Sequence, residues 1–184
     1  AQGAPGLDAT LARFDFMNEV LEWHAEGEEE AVFTALEGIA PRLAWAYDQD
    51  HRGLDAAFAE FTRCMSLRDP VQTARATAAF TFHLDLHLAK EDAQVYPLVI
   101  GALSPEEQGG ILATMSGQVP RDRFPEVVSW LFRNVDLDDR ITMVRLFQRA
   151  QPPEVLVGLL GIVKGTLGDG DYAAVSAEVP GLPV

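Results

Sequence analysis

Two histidines and a glutamate stand at four-residue intervals in FHLDLHLAKEDAQVYPL, residues 82–98: His83, His87 and Glu91. The spacing recurs as His24 and Glu28 in WHAEGEEEAVF and as His51 and Asp55 in DHRGLDAAF. Side chains four apart on a helix lie one turn above the other on the same face, so each pair can aim an imidazole and a carboxylate at one point. That combination is ligand chemistry for a transition-metal ion. Other site chemistries lack their residues. The chain has a single cysteine, Cys64, with no His-Glu-x-x-His, nucleophile elbow or phosphate loop, which removes zinc-finger, zinc-protease and nucleotide chemistries. Ferritin-like sites need Glu-x-x-His on two helices, and only DQDH at 48–51 approaches it.

A helical wheel at about 100° per residue selects among neighbouring acids. Phe80, His83, Leu84, His87, Glu91, Val95 and Leu98 share one arc, with Glu91 near its middle and Asp92 at its edge. Leu21, His24, Glu28, Ala31, Val32 and Ala35 share another, with Glu29 at the margin and Glu30 pointing away. Tyr47, His51, Leu54, Asp55, Phe58 and Thr62 form a third, in which Asp55 is either a ligand or the hydrogen-bond acceptor that orients His51. These arcs are the apolar ones. An ionised carboxylate buried there without a partner costs several kcal/mol, and residues 1–100 hold only 7 basic residues against 17 acidic ones. A bound cation supplies the missing charge.

The elements that must position these side chains are helical throughout, with no period-2 strand pattern. A first segment begins near Leu7 with Asp8 as a candidate N-cap and ends near Gly38 and Pro41, as one long helix or two. A second covers Pro41 to Ser66, and a third Val71 to Leu103. Ser104, Pro105 and Glu107 then form a capping-box start, followed by shorter helices at about 105–117, 124–135, 137–150 and 153–167, punctuated by VPRDRFP, VDLDD, QPPE and GDGD. The predicted division is 7–103 for the metal-binding helices and 104–180 for a helical extension that packs on or completes the bundle within one compact domain. The extension has neither histidine nor cysteine, so its work is packing, partner contact or lid formation.

The 184 residues carry a net charge of −14 at pH 7, which repels phosphate backbones and anionic lipid and argues against nucleic-acid or membrane partners. No run of about 18 apolar residues occurs, and the lone cysteine fits a reducing, cytoplasmic setting.

Taken in order, LEWHAEGEEEAVFTAL, AYDQDHRGLDAAF and FHLDLHLAKEDAQVYPL resemble the successive motifs of hemerythrin-like (HHE cation-binding) domains, over about residues 20–100. The resemblance implies an all-α fold: an antiparallel four-helix bundle, here with extra C-terminal helices, around a non-haem di-iron centre with an oxo or hydroxo bridge. It implies Glu28 and Glu91 as bridging carboxylates, and His24, His51 and His87 as ligands. Asp55 stands where the family often has another histidine, and His83 is an additional imidazole. The chain departs from the pattern in having no histidine before His24, four histidines in all, and Thr34 where the motif usually has proline. Either His83 takes the vacant ligand position, or a tyrosine, water or acid does, or one iron is weakly held. A histidine-poor, carboxylate-rich site favours ferric iron over reversible oxygen carriage. The expected partner is therefore a small oxidant (O2, H2O2 or NO), consumed in a catalase- or peroxidase-like cycle or sensed, by a monomer or homodimer. The alternatives are a regulatory module with one metal or none, and an iron-handling protein without turnover.

Overall fold

Prolines at 41, 70, 105 and 153 each occupy the first position of a helix, where the fixed φ suits the helix and the missing N–H is not needed. In the computed structural model, which describes residues 7–182, the first helix α1 (Leu7–Gly27) runs without a break through a π-helical turn (Glu28–Phe33) into α2 (Thr34–Ile39). The backbone stays right-handed helical at both junctions, so this is one continuous rod. It stops at Ala40, where φ is −149°. Asp8 lies inside the first turn of α1 and not before it.

α3 (Pro41–Ser66) ends in a tight turn with Arg68 at φ +54°. Asp69 then caps α4 (Pro70–Lys90), its side chain accepting from the Val71 and Gln72 N–H groups at 3.0 Å each. α4 continues through a second π-helical turn (Glu91–Val95) into α5 (Tyr96–Ala102). The predicted capping box opens α6 (Pro105–Gln118): Glu107 Oε2 accepts the Ser104 N–H at 2.7 Å, and Ser104 Oγ accepts the Glu107 N–H at 3.3 Å. The four rods are joined by one, three and two residues, and links that short make neighbours antiparallel. The all-α bundle expected from the sequence is therefore present, with no strand among the described residues.

The chain divides into two compact units, one ending at Gln118 and the other beginning at Val119. α6 falls within the first unit, where it packs on α1 and on the first π turn and serves as the fourth rod. The reason is steric. A Cβ on Gly27 would lie 2.9 Å from Met115 Cα and 3.1 Å from Met115 Cβ, so α1 and α6 touch backbone to backbone there. Gly27→Ala is expected to destabilise the protein by about 1–3 kcal/mol, the usual cost of overpacking, read as a lower urea midpoint with unchanged far-ultraviolet dichroism.

Two apolar clusters fill the first unit. One holds Val32, Leu36, Tyr47, Val95 and Val99, and the other Phe61, Cys64, Met65 and Ala76 with Phe58 against them. Along α3 and α4 the histidines fall between these clusters. The second unit contains α7 (Phe124–Asn134), α8 (Leu137–Ala150) and α9 (Pro153–Glu178), around Phe132, Val144, Leu160, Val163, Tyr172 and Val175. The GDGD run does break the last helix: Gly168 sits at φ +73°, a region only glycine enters cheaply. The helix nevertheless resumes as far as Glu178, beyond the predicted end at 167, because Tyr172 and Val175 are buried in that core.

Candidate metal centre

Glu28 and Glu91 are the first residues of the two π turns. A π turn uses one residue more than an α turn, so the inward face beyond each of them comes round one position late. Leu36 is buried where the regular wheel placed Ala35, and Val99 is buried where it placed Leu98, which is 37% exposed. The second π turn has a source in the sequence. Pro97 carries no N–H to continue the α ladder, and the Tyr96 N–H reaches back to the Glu91 carbonyl, five residues earlier.

The turns bring Glu28 and Glu91 to face His51 of α3 and His87 of α4. Each of the four offers a ligand atom, and these atoms all lie within 4.8 Å of one another. All four side chains are buried. His87 Nε2 is 2.9 Å from Glu91 Oε1, and His51 Nε2 is 3.4 Å from Glu28 Oε2. His24, one turn before Glu28 on α1, places Nε2 at 3.2 Å from Glu28 Oε1 and is partly exposed. Tyr96 donates its hydroxyl to Glu28 Oε1 at 3.1 Å. A cavity of about 50 Å³ opens on the imidazoles of His24, His51 and His87, walled by apolar side chains including Leu21, Phe58, Phe80 and Leu84.

Buried carboxylates normally have every oxygen hydrogen-bonded. Here Glu28 Oε2 and both oxygens of Glu91 make no hydrogen bond, nor do Tyr47 Oη and His87 Nδ1. The close imidazole–carboxylate pairs thus point lone pairs at a common centre without the alignment of hydrogen bonds. That donor set, two carboxylates and two or three imidazoles, fits a first-row transition metal such as iron.

Electrostatics carry the same mark. Burial alone would raise the Glu28 carboxyl, but the imidazoles of His24 and His51 beside it outweigh burial and hold the carboxyl far below its usual range. In return, burial works against protonating His24 and His51, and Glu28, with Glu29 for His51, raises both above the ordinary value. Burial, followed by the charges of Glu91, Asp50 and Glu28, pushes the Tyr47 phenol up to about 12. Burial and the Glu28 charge raise Tyr96 too, so both phenols remain protonated.

Of the seven residues singled out in the sequence, the structure brings together His24, Glu28, His51, His87 and Glu91. His83 is exposed, beside Phe82, and lines a surface pocket of about 230 Å³ with Asp50, His87 and Lys90. Asp55 is exposed at the cavity wall. Each shares the broad apolar arc yet lies about 60° from its midline, which is enough to turn a side chain out.

The acceptor beside His51 is Glu29, not Asp55: Glu29 Oε1 lies 2.9 Å from His51 Nδ1. Asp50 Oδ2 lies 3.9 Å from His87 Nδ1 and is also held by the Lys90 ammonium, which stands over the Tyr47 ring. Helical periodicity does not pick out Glu29, Asp50 and Lys90 for these roles. Their one local signal is adjacency to ligand candidates: Glu29 follows Glu28, Asp50 precedes His51, and Lys90 precedes Glu91.

Comparison with known proteins bears on this geometry. Residues 1–99, more than half of the chain, match the family described as "Hemerythrin HHE cation binding domain". Zinc finger protein BRUTUS of Arabidopsis thaliana is 25% identical over 151 residues, 79% of this chain and 12% of that protein. Two BRUTUS-like zinc finger proteins of the same plant are 23% and 22% identical, over 90% and 77% of this chain and 14% and 12% of their own lengths. The chain therefore spans a small part of the curated relatives it matches. No solved structure gives a significant match. With the ordered motifs, the helical bundle and the buried histidine–glutamate cluster in agreement with the match to residues 1–99, this chain belongs to the hemerythrin HHE cation-binding domain family.

Proposed function

We propose that this protein is a non-haem di-iron protein that binds or reacts with a small oxidant. Glu28 and Glu91 would bridge the metals, and His24, His51 and His87 would complete the protein ligands. One observation carries it: Glu28 Oε2 and both Glu91 oxygens, buried and without hydrogen bonds, close to imidazole nitrogens. Two carboxylates offer four oxygens, and with three imidazoles the donors outnumber the positions around one octahedral ion.

Bound iron would supply redox change at an open coordination position. The chain's own residues limit what reaches it. A cavity of about 50 Å³ has room for a few water-sized molecules, since one water needs about 10–15 Å³ on this measure. That room suits dioxygen, nitric oxide or hydrogen peroxide. The Tyr96 hydroxyl donates to Glu28 Oε1 and so fixes the orientation of that carboxylate, and apolar side chains line much of the cavity. Cytoplasmic placement is part of the proposal, supported by the single buried thiol Cys64; no helix among the described residues is long and apolar enough to cross a membrane.

The test is metal analysis and optical spectroscopy of protein purified from iron-supplemented cells. About two irons per chain and a di-ferric spectrum perturbed by azide and by peroxide are expected. One iron or none, with a spectrum indifferent to azide, would overturn it.

A second reading, an interaction module with a structural metal, draws on the similarity to BRUTUS-like sequence over 90% of this chain, which reaches into the second unit. It predicts stoichiometric metal with no exchangeable position.

A further inference from the structure

Two acids outside the ligand cluster repeat one arrangement. His51 turns Nε2 toward Glu28 and Nδ1 toward Glu29, at 2.9 Å from Glu29 Oε1. His87 turns Nε2 toward Glu91 and Nδ1 toward Asp50, at 3.9 Å from Asp50 Oδ2. Each acid is the chain neighbour of a ligand on one rod and faces the histidine of the next. Glu29 follows Glu28 and faces α3, while Asp50 precedes His51 and faces α4. Both acids are on the solvent side, Glu29 at 48% and Asp50 at 31% side-chain exposure, whereas the imidazoles they face are 5% and 4% exposed.

From this cross-wiring we propose that Glu29 and Asp50 are positioning residues: Glu29 keeps the proton of His51 on Nδ1 and so turns its Nε2 lone pair inward, and Asp50 does the same for His87 when Nε2 binds a metal. A neutral imidazole carries its proton on one nitrogen only, and a carboxylate accepts but cannot donate. A carboxylate at Nδ1 therefore selects the Nδ1–H tautomer and leaves Nε2 to a metal, and such outer partners also raise ligand basicity. Glu29 is already at hydrogen-bond distance. Asp50 is held by Lys90 at 3.9 Å from His87 Nδ1, longer than a hydrogen bond, and His87 Nε2 lies 2.9 Å from Glu91 Oε1, so His87 takes this orientation only once Nε2 is given to a metal. His24 points Nε2 at Glu28 and is 36% exposed, so the site has two oriented imidazoles and a third that is looser.

The proposal rests on the metal-binding reading for its purpose but not for its first test. In metal-free protein with 15N-labelled histidine, at about pH 9 and well above the ordinary histidine value near 6.5, His51 is expected as the Nδ1–H tautomer. Exposed His83 should show the Nε2–H form that free imidazole side chains prefer. Glu29→Ala should shift His51 toward Nε2–H, and the conservative Glu29→Gln, which keeps an acceptor oxygen, should restore most of the His51 tautomer. Cobalt(II) affinity, measured by chelator competition, should fall roughly 10–100-fold in Glu29→Ala and Asp50→Ala, with Glu29→Ala the larger loss because its contact is shorter. An unchanged His51 tautomer in Glu29→Ala, or cobalt affinity untouched in both alanine variants, would overturn the positioning role. A wild-type chain that binds no cobalt while showing the expected His51 tautomer would instead sink the metal-binding reading and leave the orientation of His51 standing.

Discussion

Glu91→Leu is expected to abolish metal binding and, at the same time, make the metal-free protein more stable. Glu91 is 1% exposed, and neither of its oxygens makes a hydrogen bond. An unsatisfied buried carboxylate charges its full desolvation to the folded state. Replacing buried charge by an apolar side chain of similar size is commonly stabilising, by about 1–4 kcal/mol. Leucine continues the apolar surface of Val95 and Val99 on the same face, so a gain of about 1–3 kcal/mol is expected. Metal affinity should fall by more than the roughly 10–100-fold that an outer partner is worth, since Glu91 is a direct ligand in this scheme. Calorimetry of the metal-free proteins and chelator competition of the loaded ones measure the two halves. A Glu91→Leu protein that is less stable without metal would mean that the carboxylate has a structural partner and is not held in reserve for an ion. Retained affinity would remove Glu91 from the ligand set.

The second large effect is a pH profile that metal erases. The Glu28 carboxyl is depressed, so its contribution to stability is present above its unfolded value of 4.5 and is lost only as pH falls through a much lower folded value. His24 and His51 are raised, so their contribution is complete below 6.5 and is lost as pH rises through their folded values. The metal-free protein is therefore expected to be most stable between 4.5 and 6.5, where protonated imidazoles neutralise buried Glu28. On the alkaline side it should lose about 1–3 kcal/mol as that charge becomes unpaired. His51 carries most of the loss, because His24 is 36% exposed and solvent screens its share.

Metal takes the place of those protons. Its affinity rises with pH as the imidazoles become free to ligate, and an ion at about 1,000 times its Kd adds about 4 kcal/mol. Saturating metal should thus flatten the alkaline limb. Urea midpoints from about pH 5 to 9, with and without metal, decide the matter. A metal-free profile flat across that range, or an alkaline decline that metal leaves intact, would refute the exchange of protons for an ion.

The ligand chemistry was legible in the chain because helical periodicity is a local rule. His24–Glu28 and His87–Glu91 are four apart, and a four-residue interval places both members on one face whatever the rest of the fold does. Proline positions and the Ser104–Glu107 capping box are local too, so α3, α4 and α6 begin where the sequence placed them. The wheel also favoured Glu28 over Glu30 and Glu91 over Asp92, because burial follows angle.

Distance between rods has no such local rule, and tertiary structure alone decided it. The π turns at Glu28 and Glu91 advance the buried face by one residue, a shift that a wheel of constant pitch cannot contain. His83 and Asp55 share apolar arcs with true inward residues yet lie at the surface, because an arc says which way a side chain leans and not where the neighbouring helix stands. Glu29 and Asp50 meet histidines 22 and 37 positions away, pairings set only when α3 packs beside the first π turn and α4 beside α3. By itself the sequence determined the ligand types, the faces that carry them and the helices that hold them. Which oxygens are left without hydrogen bonds, which nitrogen of each imidazole faces inward, and which helix closes the bundle against Gly27 depended on packing, the one step in which residues far apart in the chain acquire a distance.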